Sequence, residues 1–299
     1  MSNRRYVITG ATGNIGKRIA ESLLAKGQTV RVIGRNQERL QSLVAKGAEA
    51  FVGSVEDPVS MKKAFQGASA AFLMIPPNYG APHVRTYQKK VGEIYINAVR
   101  DSGLKYLVNL SSVGAHLSAQ AGPINGLHDF EESLNKLPDV HIVHLRPAFF
   151  MENHLHTVGL IKQMGILGTP LTPVLRIPMI ATQDIAAVAV DLLLGLQFKG
   201  KSTQELLGPK ELSMADATAI LGNAIGKNDL KYVQFPYADA EKAMQGMGMS
   251  KDVAKGMVEL YKGFNEKIIL PREQRSPKNT TPTTLEEFSK TFAKAYQQN

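Results

Sequence analysis

The sequence predicts an α/β fold: a doubly wound parallel sheet followed by a smaller, partly helical C-terminal lobe. Three observations predict it. Apolar strand-like runs alternate with amphipathic helix-length segments through the first half of the chain, as in a parallel sheet covered on both faces. The first run stops at a glycine turn that opens a helix, "VITGATGNIGKRIA" (7–20). The alternation then weakens after Pro147.

The elements follow in order. "RYVITG" (5–10) reads as a strand. In "NIGKRIAESLLAKG" (14–27), Ile15, Ile19 and Leu23 form an apolar helical stripe, and Gly27 stands where a helix C-cap belongs. Strand 29–35, helix 36–47 and strand 48–54 come next. Asp57 and Pro58 open a helix over 57–67 as N-cap and first helical residue. "SAAFLMIPP" (69–77) is a strand ended by two prolines, and a long helix runs over 82–102. Strand 105–112, helix 126–137 and strand 140–147 complete the pattern.

Beyond Pro147 the expectation is a helix over 149–164, a Gly/Pro-broken stretch over 165–178 and an apolar helix opened by Asp184. The rest reads as helix with short strands such as "KYVQF" (231–235). Thr284 and Glu287 have capping-box spacing ahead of Leu285, Phe288 and Phe292, so the last helix should dock. The expected division is residues 1–150 and 151–299, with segment 176–182 crossing back to the main sheet.

The chain has 299 residues, 43 % of them hydrophobic, enough for one large core and a smaller companion. It has no cysteine, which excludes disulfides and thiolate chemistry. "MSNRRYVITG" lacks the apolar stretch and cleavage site of a signal peptide, and the run 185–196 is shorter than the ~20 residues of a membrane span. A cytoplasmic protein without membrane contact is expected. The formal charge of +9 lies wholly in residues 1–100, which hold 15 Lys+Arg and 6 Asp+Glu. No basic arm or aromatic-interleaved patch points to nucleic acid. A bound polyphosphate accounts for the asymmetry, as would scattered solvated helix faces.

The glycine turn is Gly10-x-x-Gly13-x-x-Gly16 in a strand–turn–helix context, the Rossmann-type phosphate loop. Gly10 serves the sharp turn, Gly13 the close approach of a pyrophosphate and Gly16 the packing of helix on sheet. The N–H groups around Thr12, Gly13, Asn14 and Ile15 would face the anion. A residue that holds a ribose 2′-hydroxyl is acidic and ends the second strand, whereas this chain has Gly34-Arg35-Asn36 there. Arg35 suits a 2′-phosphate, so the expected cofactor is NADP(H). Ser111 or Ser112, at the carboxyl end of the fifth strand, would reach the nicotinamide side; the alternative is a serine that only finishes its strand. No His/Asp/Glu grouping has metal-ligand spacing, and no G-x-S-x-G elbow occurs.

"TGATGNIG", "GRN" after the second strand, "LRPAFFMEN" (145–153), "MIATQDIAAVA" (179–189) and "TPTTLEEF" (281–288) together resemble the NmrA-like branch of the atypical short-chain dehydrogenase/reductase superfamily. The resemblance spans nearly the whole chain. It implies an NADPH-dependent reductase of quinone-like or dye-like small molecules or, alternatively, a non-catalytic NADP(H)-binding redox sensor acting through a protein partner. It also implies that Ile75 and Pro76 line the cofactor, that Asn78 and Tyr79 face the substrate, and that Pro147, Ala148 and Phe149 border the nicotinamide. Phe150 is taken with the substrate residues, although paired aromatics are commonly core.

The Tyr-x-x-x-Lys pair of the wider superfamily is absent. The residues four beyond Tyr79, Tyr87, Tyr95 and Tyr106 are His83, Val91, Val99 and Leu110, and no other tyrosine precedes a lysine at that spacing. The helix that would carry the pair instead has His128 and Glu132 one turn apart, similar to a His-x-x-x-Glu segment of the quinone-reducing members. His128 is the candidate proton or hydrogen-bond donor, with a surface or capping role as the alternative.

Overall fold

A computed structural model describes residues 4–298; Met1–Asn3 of the N-terminal reading and Asn299 lie outside it. The first half builds β1 (Arg5–Ile8), α1 (Asn14–Ala25), β2 (Thr29–Gly34), α2 (Gln37–Val44), β3 (Glu49–Val52), α3 (Pro58–Phe65), β4 (Ala70–Leu73), α4 (Val84–Ser102), β5 (Tyr106–Leu110), α5 (Ile124–Asn135) and β6 (His141–Pro147). The second half adds β7 (Phe149–Phe150), a 3-10 helix (Met151–Thr157), α6 (Val158–Met164), β8 (Ile166–Thr169), β9 (Ile177–Ile180), α7 (Thr182–Gly195) and β10 (Lys201–Leu206). It ends with β11 (Glu211–Leu212), α8 (Met214–Ala224), β12 (Lys231–Gln234), α9 (Tyr237–Gly246), α10 (Lys251–Asn265) and α11 (Leu285–Gln298).

The central sheet has seven strands in the order β10-β6-β5-β4-β1-β2-β3. Every pairing in it is parallel. The fold is therefore the doubly wound Rossmann type. Ile15, Ile19, Leu23 and the α7 residues Ile185, Ala189 and Leu193 cover one face. Met61, Phe65, Val91, Tyr95 and Phe130 cover the other. The β4 residues Ala70–Leu73 are buried throughout, which is why a four-residue strand reads as an unbroken apolar run.

Two expectations are corrected. Residues 149–164 do not form one helix: Phe149 and Phe150 pair with Met179 and Ile180, and a 3-10 helix precedes α6. Nor does segment 176–182 cross back to the central sheet. Its strand β9 lies between β7 and β11 in a separate three-stranded sheet. The strand that does return is β10, which pairs with β6 from Lys201↔Ile142 to Leu206↔Pro147.

The C-terminal core gathers Met151, Ile161, Leu167, Met179, Leu221, Phe288 and Phe292, and a minor cluster of Ala240, Met244, Ala254 and Val258 joins α9 to α10. The capping box at Thr284 and Glu287 is present, with Thr284 N–H to Glu287 at 2.8 Å and Glu287 N–H to Thr284 at 3.1 Å. The α11 residues Leu285, Phe288 and Phe292 are buried. Among the described residues no helix is long and apolar enough to cross a membrane.

Candidate cofactor and substrate site

The chain winds outward in both directions from the neighbouring strands β1 and β4, so the loops after these two strands flank the crevice where open α/β sheets bind ligands. The first of them is the glycine turn. Gly10 has φ +63°, and a Cβ there would lie 2.2 Å from Met74 Sδ. A Cβ on Gly16 would meet the Gly10 carbonyl oxygen at 2.4 Å and its carbon at 2.7 Å. The protein's own packing requires both glycines. At Gly13, by contrast, the nearest atom to an added Cβ is Gly10 O at 3.4 Å. What Gly13 keeps open is space outside the protein.

Gly13 is the N-cap of α1 and carries no capping side chain. The N–H groups of Asn14, Ile15 and Gly16 accordingly have no acceptor among the described residues. Thr12, Gly13 and Asn14 are exposed, while Ile15 is buried as the first apolar residue of the α1 stripe.

The second loop, Met74–Gly80, is held by residues that sequence reasoning missed. The Thr9 hydroxyl accepts the Met74 N–H at 2.9 Å and donates to Phe72 O at 3.2 Å, tying the ends of β1 and β4 together. Tyr95 OH donates to Met74 O at 3.1 Å, and Tyr87 OH donates to Pro76 O at 3.0 Å. Both tyrosines come from one face of α4, and burial pushes both phenols up, that of Tyr87 to about 12. Their spacing of eight, two helical turns, was the available signal. Ile75 is buried and Pro76 half-buried; Asn78 Oδ1 accepts the Gly80 N–H at 3.2 Å, and the Tyr79 side chain stays 49 % exposed.

At the end of β2, Arg35 is exposed and makes no hydrogen bond or ion pair among the described residues. Asn36 caps α2 by accepting the Arg39 N–H at 3.2 Å. Arg31 is buried and used within the protein, on Glu49 at 2.8 Å and Ala64 O at 2.6 Å.

Beyond β5 the two serines separate. Ser112 Oγ donates to Val113 O at 2.9 Å and so finishes its strand. Ser111 is 4 % exposed, and its hydroxyl has no partner although its N–H reaches Leu145 O at 2.7 Å. A buried hydroxyl without a partner at the carboxyl edge of the sheet is the atom a ligand would satisfy.

On α5, His128 Nδ1–H donates to Ala115 O at 2.9 Å, since a carbonyl only accepts; Nε2 is left as the ring's free nitrogen. Glu132 is exposed and makes no hydrogen bond with His128. The carboxylate drawn inward is its neighbour Glu131, which receives Arg146 Nε at 3.0 Å and Nη2 at 2.5 Å. His144 lies between two amides: Nε2–H donates to Asn135 Oδ1 and Nδ1 accepts from Asn109 Nδ2, each at 3.0 Å.

Residues 147–152 form the far wall. Pro147 O accepts the Val113 N–H at 3.0 Å, and Ala148 N–H donates to Leu206 O at 2.9 Å. Phe149 packs against His154 with the rings tilted by 58° and their centroids 5.7 Å apart, while Phe150 packs against the central core. Glu152 accepts the first N–H of α7, that of Thr182, at 3.0 Å, together with the Thr182 hydroxyl. Burial pushes the Glu152 carboxyl up, and desolvation lowers His154 to about 4.

The chain from residue 2 to 289 matches the model of the NmrA-like family. It belongs to that family. Among NmrA-like and other relatives, the NAD(P)H azoreductase of Xenophilus azovorans is 26 % identical over 294 residues, covering 97 % of this chain and 98 % of its own. Quinone oxidoreductase 2 of Escherichia coli is 26 % identical over 254 residues, 83 % of each chain. Among solved structures, the triphenylmethane reductase of Citrobacter sp. complexed with NADP(H) superimposes with a TM-score of 0.78 at 20 % identity, covering 97 % of this chain and 99 % of its own.

Proposed function

We propose that this NmrA-like chain is an NADPH-dependent oxidoreductase that passes hydride to a flat, electrophilic small molecule of the quinone or dye class. The observation that carries the cofactor assignment is the set of unpaired donors along one edge of the sheet: the uncapped α1 N–H groups, the free Arg35 guanidinium and the buried Ser111 hydroxyl. The relatives named as azo and quinone reductases, each 26 % identical, support the reaction class.

The residues fit a nicotinamide adenine dinucleotide phosphate. The α1 N-terminus would hold the pyrophosphate, Arg35 the 2′-phosphate, and Ser111 with Pro147–Phe149 the nicotinamide side. Bound there, the dinucleotide would supply two electrons and a proton together, as hydride. Tyr87 and Tyr95 fix the Met74 and Pro76 carbonyls after β4, and Glu131 fixes Arg146 near the carboxyl end of β6. His128, oriented through Ala115 O, is left with Nε2 uncommitted for a substrate or proton. An acceptor whose reduced form is itself a stable anion needs alignment more than a strong acid, which accommodates the missing Tyr-x-x-x-Lys pair.

Single-turnover oxidation of bound NADPH against quinones, azo dyes, triphenylmethane dyes and aldehydes tests this reading. Oxidation by a quinone or dye is expected. Tight NADPH binding with transfer to none of them would replace it with a redox sensor that works through a protein partner.

A further inference from the structure

The next inference rests on the reductase reading and concerns what holds the acceptor. The superfamily's tyrosine has no counterpart on α5, but the C-terminal lobe lays a phenol-bearing helix, α10, against the loops that flank the crevice. Helix α10 is fixed across the loops that follow β4 and β5. At its start Ser250 N–H reaches Tyr79 O at 2.8 Å, Ser250 Oγ donates to Ala81 O at 2.6 Å, and Asp252 accepts the Val84 N–H at 2.8 Å. In its middle, Gly256 O lies so close to Gly122 that a Cβ on Gly122 would stand 2.1 Å away. At its end Asn265 accepts the Thr172 N–H at 2.9 Å and donates to Pro170 O at 2.9 Å.

Tyr261 sits on this fixed helix. Its ring packs on the C-terminal core beside Phe264, in the cluster that also takes Phe149. Its hydroxyl makes no hydrogen bond among the described residues, yet the side chain is enclosed enough that burial raises the phenol's pKa, with Tyr79 the other phenol it interacts with. Tyr79 belongs to the loop after β4, and its carbonyl receives the Ser250 N–H, so the two unpaired hydroxyls come one from the Rossmann half and one from the C-terminal lobe fastened to it. Tyr232, the third phenol of the group, is already committed, to Leu171 O at 2.6 Å and to the Thr169 hydroxyl at 2.7 Å.

We infer that Tyr261 anchors the acceptor by donating its O–H to the oxygen on which negative charge develops, with Tyr79 as an auxiliary donor from the loop after β4. A quinone that accepts hydride gains two electrons and one proton; the resulting hydroquinone monoanion then takes a second proton from water, leaving hydroxide. A neutral phenol beside the charged oxygen stabilises that change without giving up its own proton. A triphenylmethane cation presents no such oxygen. Hydride adds to its central carbon and neutralises it, so no oxyanion forms and no proton is needed.

The contrast supplies the experiment. With Tyr261→Phe, kcat/KM for a naphthoquinone should fall roughly 100-fold. Reduction of crystal violet and the affinity for NADPH should stay within about twofold of the wild type. Tyr79→Phe should give a smaller loss of the same selectivity. Independently of turnover, the NADP+-loaded protein is titrated with 4-nitrophenolate, whose absorbance reports hydrogen bonding; Tyr261→Phe should weaken its binding about tenfold. Equal losses toward quinone and dye, or an unchanged nitrophenolate affinity, would overturn the assignment. A wild type that binds NADPH but reduces neither acceptor overturns the reductase reading instead, and the nitrophenolate titration then decides the anchor by itself.

Discussion

The Asp184 carboxylate accepts both the backbone N–H of Thr283, at 3.0 Å, and its hydroxyl, at 2.6 Å, across 99 residues of chain. Two motifs that look unrelated in the sequence, "QDIA" and "TPTTLEEF", are thus two sides of one clasp. It fastens the start of α7, which covers the central sheet, to the lead-in of α11, which closes the C-terminal core. Both partners are buried. Thr283→Val removes the charge-assisted bond to Asp184 and the bond accepted from Gln183 Nε2 at 2.8 Å, and should cost about 2–3 kcal/mol. Asp184→Ala removes both acceptors and should cost more. Urea unfolding measures the two losses, and the NADPH affinity of the folded fraction should be unchanged, because the clasp touches none of the cofactor residues.

Gly13 and Gly16 should respond oppositely to the same added methyl group. Gly16→Ala drives a Cβ into backbone atoms of Gly10 and Thr9, at 2.4–3.0 Å, which cannot swing aside as a side chain would. A fall in thermal stability and loss of cofactor binding together are expected. Gly13→Ala meets nothing in the protein closer than 3.4 Å, so its melting temperature should hold while NADPH affinity falls, by roughly tenfold or more. Calorimetry and fluorescence titration separate the two effects.

Arg35 is the unpaired guanidinium at the end of β2, and nothing in the fold depends on it. Arg35→Gln should lower NADPH affinity by about 10- to 100-fold and leave NADH nearly unaffected; Arg35→Asp should reverse the preference. Titration of both nucleotides against each variant checks this. Equal losses for the two nucleotides would remove Arg35 from the cofactor site.

The parts legible in the sequence were those set by local constraints. Strands β1, β2, β4, β5 and β6 are largely buried and show as apolar runs, the edge strand β3 follows from its place after α2, and the glycine turn is a property of a few consecutive backbones. The seventh strand, "KSTQEL", was not legible. It is an edge strand whose first three residues are exposed, so it carries no apolar signature. Phe149 and Phe150 were taken into a helix because nothing local reveals that Met179 and Ile180 wait beside them. The same limit applied to the site. Local spacing paired His128 with Glu132, whereas tertiary packing buries Glu131 against Arg146 and leaves Glu132 in solvent. The tyrosines that hold the second loop matter because of where α4 lies, and no local pattern specifies that.

His154 makes stability depend on pH with a definite sign. The residue is 2 % exposed, packs its ring at a tilt against Phe149 and has no partner for Nε2, so desolvation lowers it from 6.5 to about 4. The folded chain keeps this histidine neutral, while the unfolded chain protonates it near pH 6.5. Below that value the unfolded state binds more protons, so the contribution is complete above about pH 6.5 and lost progressively as pH falls to about 4. The shift corresponds to roughly 3 kcal/mol. His144, lowered chiefly by burial, adds in the same direction, whereas Glu152, raised by burial, opposes it above the ordinary carboxylate range. Urea unfolding at about pH 7 and about pH 4.5 should therefore show a large loss in the wild type and a clearly smaller one in His154→Gln, which keeps a polar side chain of similar size but does not titrate. Parallel losses in the two proteins would mean that His154 is already protonated in the folded state, and would require a carboxylate or water beside its ring.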